Sequence, residues 1–166
     1  MPRILIIIIL FSLGLTACKS NQKNTELRKI YLVRHAEKLT DDKNPSLSPA
    51  GIARAASLSE VLKTAQVDAI YSTDYKRTQE TAQPTADRLN LSINSYDPRK
   101  LEEFATTIST ELEGHLLVVG HSNTTPILVN HIIGEDKYPQ LDESEYGDLY
   151  IVTLQGETPT VELSSF

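Results

Sequence analysis

The stretch Lys29-Ile30-Tyr31-Leu32-Val33-Arg34-His35-Ala36-Glu37-Lys38 opens on a short apolar run and closes on charge. Ile30 to Val33 suits a strand buried on both faces, as inside a parallel sheet. Arg34 and His35 stand where that strand would emerge. The chain beyond repeats the unit. Ser48-Pro49 opens a helix, with serine as cap and proline at the first helical position. Its apolar stripe reads Ile52, Ala55, Ala56, Leu62 and Ala65. Val67 to Tyr71 is a second strand. Tyr75 to Leu89 is a helix carrying Ala82, Ala86 and Leu89, with a kink expected at Pro84.

Leu91 to Tyr96 alternates and predicts a third strand, after which Asp97-Pro98 caps a helix whose face is Leu101, Phe104, Ala105, Ile108 and Leu112. Gly114 ends it. Leu116 to Val119 is the most apolar strand of all. Thr125-Pro126 opens the next helix, with Ile127, Leu128 and Ile132, and Gly134 terminates it. Leu149 to Leu154 and Thr160 to Leu163 are late strands joined by a turn at Gln155-Gly156. Strand–helix alternation of this kind predicts an α/β three-layer sandwich, a mostly parallel central sheet with helices on both faces.

Sites in such sheets form at the carboxyl ends of the strands. Arg34 and His35 end the first strand, Ser72 and Thr73 follow the second, and Arg77 lies in the first turn of the helix after it. His121 ends the fourth strand, a few residues before another helix. Two arginines and two histidines thus converge on one edge. Paired guanidiniums offer positive charge and forked donors matched to a phosphoryl group. Phosphoryl transfer asks the protein for an in-line nucleophile and for stabilisation of the equatorial oxygens. An imidazole beside two arginines resists protonation and is available as that nucleophile. His121, near a helix N-terminus, is placed to donate to a phosphate oxygen together with adjacent backbone N–H groups.

Arg34-His35-Ala36-Glu37 resembles the Arg-His-Gly signature of the histidine phosphatase superfamily, the phosphoglycerate mutase-like fold. Leu47-Ser48-Pro49-Ala50-Gly51 is similar to the segment that opens the first helix of the family. Tyr71 to Ala82, with Arg77, resembles the block that carries its second arginine. Val118-Val119-Gly120-His121-Ser122 is like the block with its second histidine. The resemblance runs from about residue 29 to 154. It implies that His35 is phosphorylated on a ring nitrogen and that water then hydrolyses the phosphohistidine. Arg34, Arg77 and His121 would bind the phosphoryl group, the backbone N–H of Ser122 would join them, and neither a metal nor another cofactor is implied.

Two departures stand out. Ala36 replaces the family's glycine and is expected to bring a methyl group close to the phosphate. The acid that protonates the leaving group, which many members place on a Glu or Asp between the later blocks, has three candidates: Asp97, Glu102 and Glu103. Glu103 fits the mutase spacing but points away from the core on its helix, and Asp97 reads more simply as a helix cap. Mutases and larger phosphatases insert cap segments between the second arginine and the second histidine. Here that stretch is already filled by a helix, a strand and a helix, which suits a small hydrolase with an open site.

Outward of the domain, Met1-Pro2-Arg3 and the apolar run from Ile4 to Leu13 have the order of a secretory signal peptide over residues 1–17. From Ile4 to Ala17 the run is too short for a bilayer-spanning helix, which needs about 20 residues. Leu15-Thr16-Ala17-Cys18 resembles a bacterial lipobox, so Cys18, the only cysteine of the chain, is the expected site of lipidation. Residues 18–28 then form the lipidated cysteine and a polar tether, and 29–166 the domain. The protein is expected outside the cytoplasm, lipid-anchored to a membrane of the cell envelope and touching that membrane only through the lipid.

Its net charge of −6 disfavours nucleic acid as a partner and leaves any anion site to a few placed cations. The expected partner is a small phosphorylated substrate. Lys38, Asp41 and Asp42 are expected to do solvated-surface duty, and His115 and His131 to be structural. The competing expectation is a catalytically inactive lipoprotein that binds a phosphate-bearing ligand or a partner.

Overall fold

A computed structural model of the chain describes residues 27–40 and 42–166. The expected signal peptide, Cys18, the tether from Lys19 to Glu26, and Asp41 lie outside the described residues. The described chain runs β1 (Arg28–Arg34), α1 (Pro49–Val61), β2 (Val67–Ser72), α2 (Lys76–Leu89), β3 (Ile93–Ser95), α3 (Leu101–Thr110), β4 (His115–Gly120), α4 (Thr125–Ile133), β5 (Asp148–Leu154) and β6 (Thr160–Ser165). One six-stranded sheet has the order β3-β2-β4-β1-β5-β6. The first four neighbours are parallel, while β5 and β6 are antiparallel. This is the three-layer sandwich the alternation predicts.

Alternating side chains of the central strands build two cores. Ile30, Leu32, Leu116 and Val118 pack with Ile108 of α3 and Leu128 of α4. Tyr31, Val33, Leu117 and Val119 pack on the other face with Leu58 of α1 and Ala82 of α2. β1 and β4 are adjacent and parallel, yet the helices that follow them lie on opposite faces. Their carboxyl ends therefore flank a topological switch point, where a crevice opens in this class of sheet. The backbone N–H of His35 donates to Gly120 across that junction at 2.9 Å, which extends the β1–β4 ladder by one bond.

Several local expectations need correction. Arg28 belongs to β1 rather than to the tether. The buried face of α1 is Gly51, Ala55, Leu58 and Ser59, while Ile52 is 61% exposed and Ala56 also faces out. Gly51 fixes that rotation: a Cβ there would collide with the carbonyl oxygen of Glu37, so the helix turns its bare backbone to that loop. β3 is shorter than expected. Tyr96 leaves the strand to stack on Phe104, ring centroids 4.4 Å apart, as part of the core. Asp97 does not cap α3, which starts at Leu101 after Lys100. Its carboxylate instead accepts from the Arg99 backbone and guanidinium, a local turn that competes with helix initiation. α2 continues through Pro84, and α4 ends at Gly134 in the left-handed conformation as expected.

The corrected face of α1 separates two substitutions. Leu58→Ala should cost about 2–5 kcal/mol, as expected for a buried leucine. Ile52→Ala should stay within about 0.5 kcal/mol. Denaturant melts of both variants read the difference, and equal losses would restore the Ile52 face.

Candidate active site

His35 leaves the end of β1 almost fully buried, 3% exposed. Its Nδ1 lies 2.8 Å from the Ala36 carbonyl oxygen. A carbonyl only accepts, so Nδ1 carries the proton and Nε2 holds the free lone pair. Burial, reinforced by the charges of Arg77 and Arg34 and by His121, lowers its pKa to about 3. His35 is thus neutral near pH 7, with one fixed nucleophilic nitrogen.

His121 ends β4, its ring edge-on to that of His35 with centroids 5.5 Å apart. An Arg77 guanidinium nitrogen lies 3.4 Å from its Nδ1, and Thr73 Oγ1 lies 3.0 Å from its Nε2. The guanidinium only donates, so Nδ1 accepts and Nε2–H donates to Thr73, whose hydroxyl is passed on to Thr78. Burial and then the Arg77 and Arg34 charges hold its pKa near 4. In this tautomer His121 offers a lone pair toward Arg77. An arriving anion would favour the doubly protonated ring, which could then donate to it.

Arg77 lies over the Tyr75 ring, 4.6 Å from its centroid. Arg34 is 2% exposed and packs over Tyr146 at 4.2 Å. Its terminal nitrogens reach the carbonyls of Asp142 and Glu145, at 2.9 and 2.8 Å, and the Glu143 carboxylate at 3.1 Å. The Nε atoms of both arginines are buried without a hydrogen-bond partner among the described residues. Unpaired buried donors are costly, and they concentrate positive charge next to His35.

The cavity over His35 is about 370 Å³ and is lined by Lys38, Arg77, Arg99, His121, Ser122 and Glu143, among others. His35, Arg77, His121 and Ser122 are therefore brought together, with Arg34 immediately behind. Lys38 is half-buried and lines the cavity, while Asp42 pairs with Lys76 at 3.9 Å. Glu102 and Glu103 sit on the exposed side of α3, outside this cavity, and Glu103 pairs with Lys100. Asp97 is engaged by Arg99, which holds its pKa near 2. The Ala36 methyl packs with Leu47 and Ala55, away from the cavity, so the expected crowding of the phosphate does not arise. His115 accepts from the Lys29 backbone, and His131 is exposed. Among the described residues no three His, Cys, Asp or Glu side chains converge to hold a metal ion.

Sequence reasoning missed Glu143. It lies in a loop with no periodicity, between Gly134 and β5, and its Oε1 accepts from Ser122 Oγ at 2.7 Å. The available signal was positional: a strand antiparallel to β1 must begin at the active edge, which returns the preceding loop there.

The comparisons with known proteins bear on this geometry. Residues 30–105 match the histidine phosphatase superfamily, branch 1. That segment contains Arg34, His35 and Arg77. A comparison with curated proteins returns no match. Among solved structures, an Agrobacterium tumefaciens protein assigned as phosphohistidine phosphatase SixA superposes with a TM-score of 0.64 at 20% identity, covering 83% of this chain and 97% of its own. The protein histidine phosphatase SixA in complex with tungstate gives 0.67 at 17%, covering 82% and 96%. A mycobacterial glucosyl-3-phosphoglycerate phosphatase with VO3 gives 0.65 at 15%, covering 84% and 98%. The chain shares the histidine phosphatase fold.

Burying two neutral imidazoles sets an acid limit on stability. Both pKa values lie below the ordinary 6.5. Between about pH 6.5 and pH 4 the unfolded chain therefore binds more protons than the folded one, and stability falls as pH falls through that window. Chemical denaturation at pH 7 and pH 4.5 should show this loss, and a His35→Gln/His121→Gln double variant should show less of it. Equal losses would mean that the histidines are not its source.

Proposed function

We propose that the chain is a metal-independent phosphatase that passes a phosphoryl group from a small phosphomonoester or phosphoanhydride through Nε2 of His35 to water. One observation carries the reading. A buried, neutral imidazole with a fixed tautomer faces a cavity lined by the Arg77 guanidinium and by His121, with the Arg34 guanidinium buried beside it. Such a site stabilises charge on the equatorial oxygens while the nucleophile attacks in line. The family match over residues 30–105 supports it, as do the tungstate and VO3 held by the SixA and mycobacterial structures, both phosphate-like anions. His121, once protonated beside the bound phosphoryl group, is its further donor, and Ser122 adds a hydroxyl.

A second reading, a phosphate-ligand-binding module without turnover, is favoured by one fact. Arg34's terminal nitrogens are already engaged by the loop over residues 142–146. Hydrolysis of p-nitrophenyl phosphate by the purified wild type separates the two. His35→Ala should lower it by at least about 10³-fold while retaining vanadate binding. Unchanged activity in that variant would remove His35 from the mechanism, and vanadate binding without any wild-type turnover would favour the binding module.

We also propose export and lipid attachment at Cys18. The basic start, the short apolar run and the small residues before the cysteine support this placement. It would confine the enzyme to substrates outside the cytoplasm. Cys18→Ser should move the protein from the membrane fraction to the soluble one. Retention of that variant in the membrane would exclude the lipid as the anchor.

A further inference from the structure

The proposed phosphatase needs an acid for leaving groups that cannot depart as free anions, and α3 does not supply one to the cavity. Glu143 is the only carboxylate lining that cavity among the described residues. Its side chain is 70% exposed, whereas the nucleophile below is buried. In-line attack from a buried nitrogen drives the leaving group outward, toward the mouth, which is the side from which Glu143 enters.

Its hydrogen-bond partners add a second argument. Oε1 accepts from Ser122 Oγ at 2.7 Å and Oε2 from Arg34 at 3.1 Å. Both donors are ones that a bound phosphoryl group would claim. A substrate dianion that takes them releases the carboxylate and leaves it beside negative charge. The Ser122 hydrogen bond, followed by the positive charge of Arg34, now holds the Glu143 pKa below the usual carboxylate range. Losing both to the substrate reverses the direction, so the released group gains a proton from solvent.

The geometry points to Glu143 as the proton carrier of this site, held by Arg34 and Ser122 until the phosphoryl group displaces it. This rests on the phosphatase reading above. In the first step His35 Nε2 forms the N–P bond, the P–O bond to the leaving group breaks, and that oxygen takes the proton of the Glu143 carboxyl. In the second step a water oxygen forms the new P–O bond and the P–N bond breaks. The water's proton returns to Glu143, inorganic phosphate leaves, and His35 is restored neutral.

The test compares two phosphomonoesters, p-nitrophenyl phosphate with a good leaving group and glycerol 1-phosphate with a poor one, on the full purified chain. Glu143→Gln should retain kcat on the first within about threefold and lose about 10²-fold or more on the second, the scale of a general acid. Glu103→Gln should change neither. Chemical rescue of Glu143→Ala by formate on the alkyl ester alone would support the assignment independently. Equal losses of Glu143→Gln on both esters would overturn it, and so would gains on both, which would make Glu143 a competitor for the phosphate donors only. Wild-type turnover of the aryl ester without the alkyl ester would also overturn it. A wild type that hydrolyses neither ester would refute the phosphatase reading itself, a result distinct from all of these.

Discussion

The parallel pairing of β1 with β4, in the register that sets Arg34 against Gly120, is the constraint on which the site depends. It carries one bond past the strand, from the His35 backbone to the Gly120 carbonyl, and so places the residue after each strand side by side. Neither histidine needs a flexible loop to find the other. Because the two strands send their following helices to opposite faces of the sheet, the space above them stays open. A close approach guards the same junction: a Cβ on Gly120 would lie 2.7 Å from the Tyr96 hydroxyl and 2.8 Å from Thr125 Oγ1.

Around that pair, polar groups fix which nitrogen does what. The Ala36 carbonyl sets the tautomer of His35, and its own N–H is held by Thr81, whose hydroxyl is donated to the Arg77 carbonyl. One threonine of α2 therefore connects the loop after His35 to the helix of Arg77. On the outer side, Glu37 makes a two-pronged ion pair with Arg54, which also reaches the Phe166 carbonyl at 3.1 Å. The loop after His35 is braced against α1, and through Arg54 against the residue that follows β6. Under the proposed reaction, such bracing would lower the reorganisation needed when charge develops.

The sheet, its helices and the meeting of Arg34, His35, Arg77 and His121 were legible because each rests on a local signal. Unbroken apolar runs mark central strands, and a residue just after such a run lands at the edge of the sheet. The rotation of α1 was not legible. Ile52 looks like a core residue by type, but the contact between Gly51 and the Glu37 carbonyl decides which way the helix turns. Nor was the start of α3, since Asp97 satisfies a turn as readily as a helix. Glu143 was hidden for a different reason. Its position follows from the antiparallel direction of β5, a tertiary fact with no trace in the periodicity of the loop itself.

The crossing from α4 to β5, residues 134–147, forms no strand or helix, yet it climbs from one edge of the sheet to the other. It is pinned on the way by Asn130 to Tyr138 and by Leu141 to Ser122, and its far end meets the Phe166 backbone at Gly147. The sheet register is set by strands on either side and does not depend on what this crossing contains. The same crossing carries Glu143 to the cavity and ties Asp142 and Glu145 to Arg34, so one irregular segment touches both the buried guanidinium and the cavity mouth. An insertion or deletion in that segment would reshape the cavity mouth and the seat of Arg34 together while leaving the packed strands and helices in place.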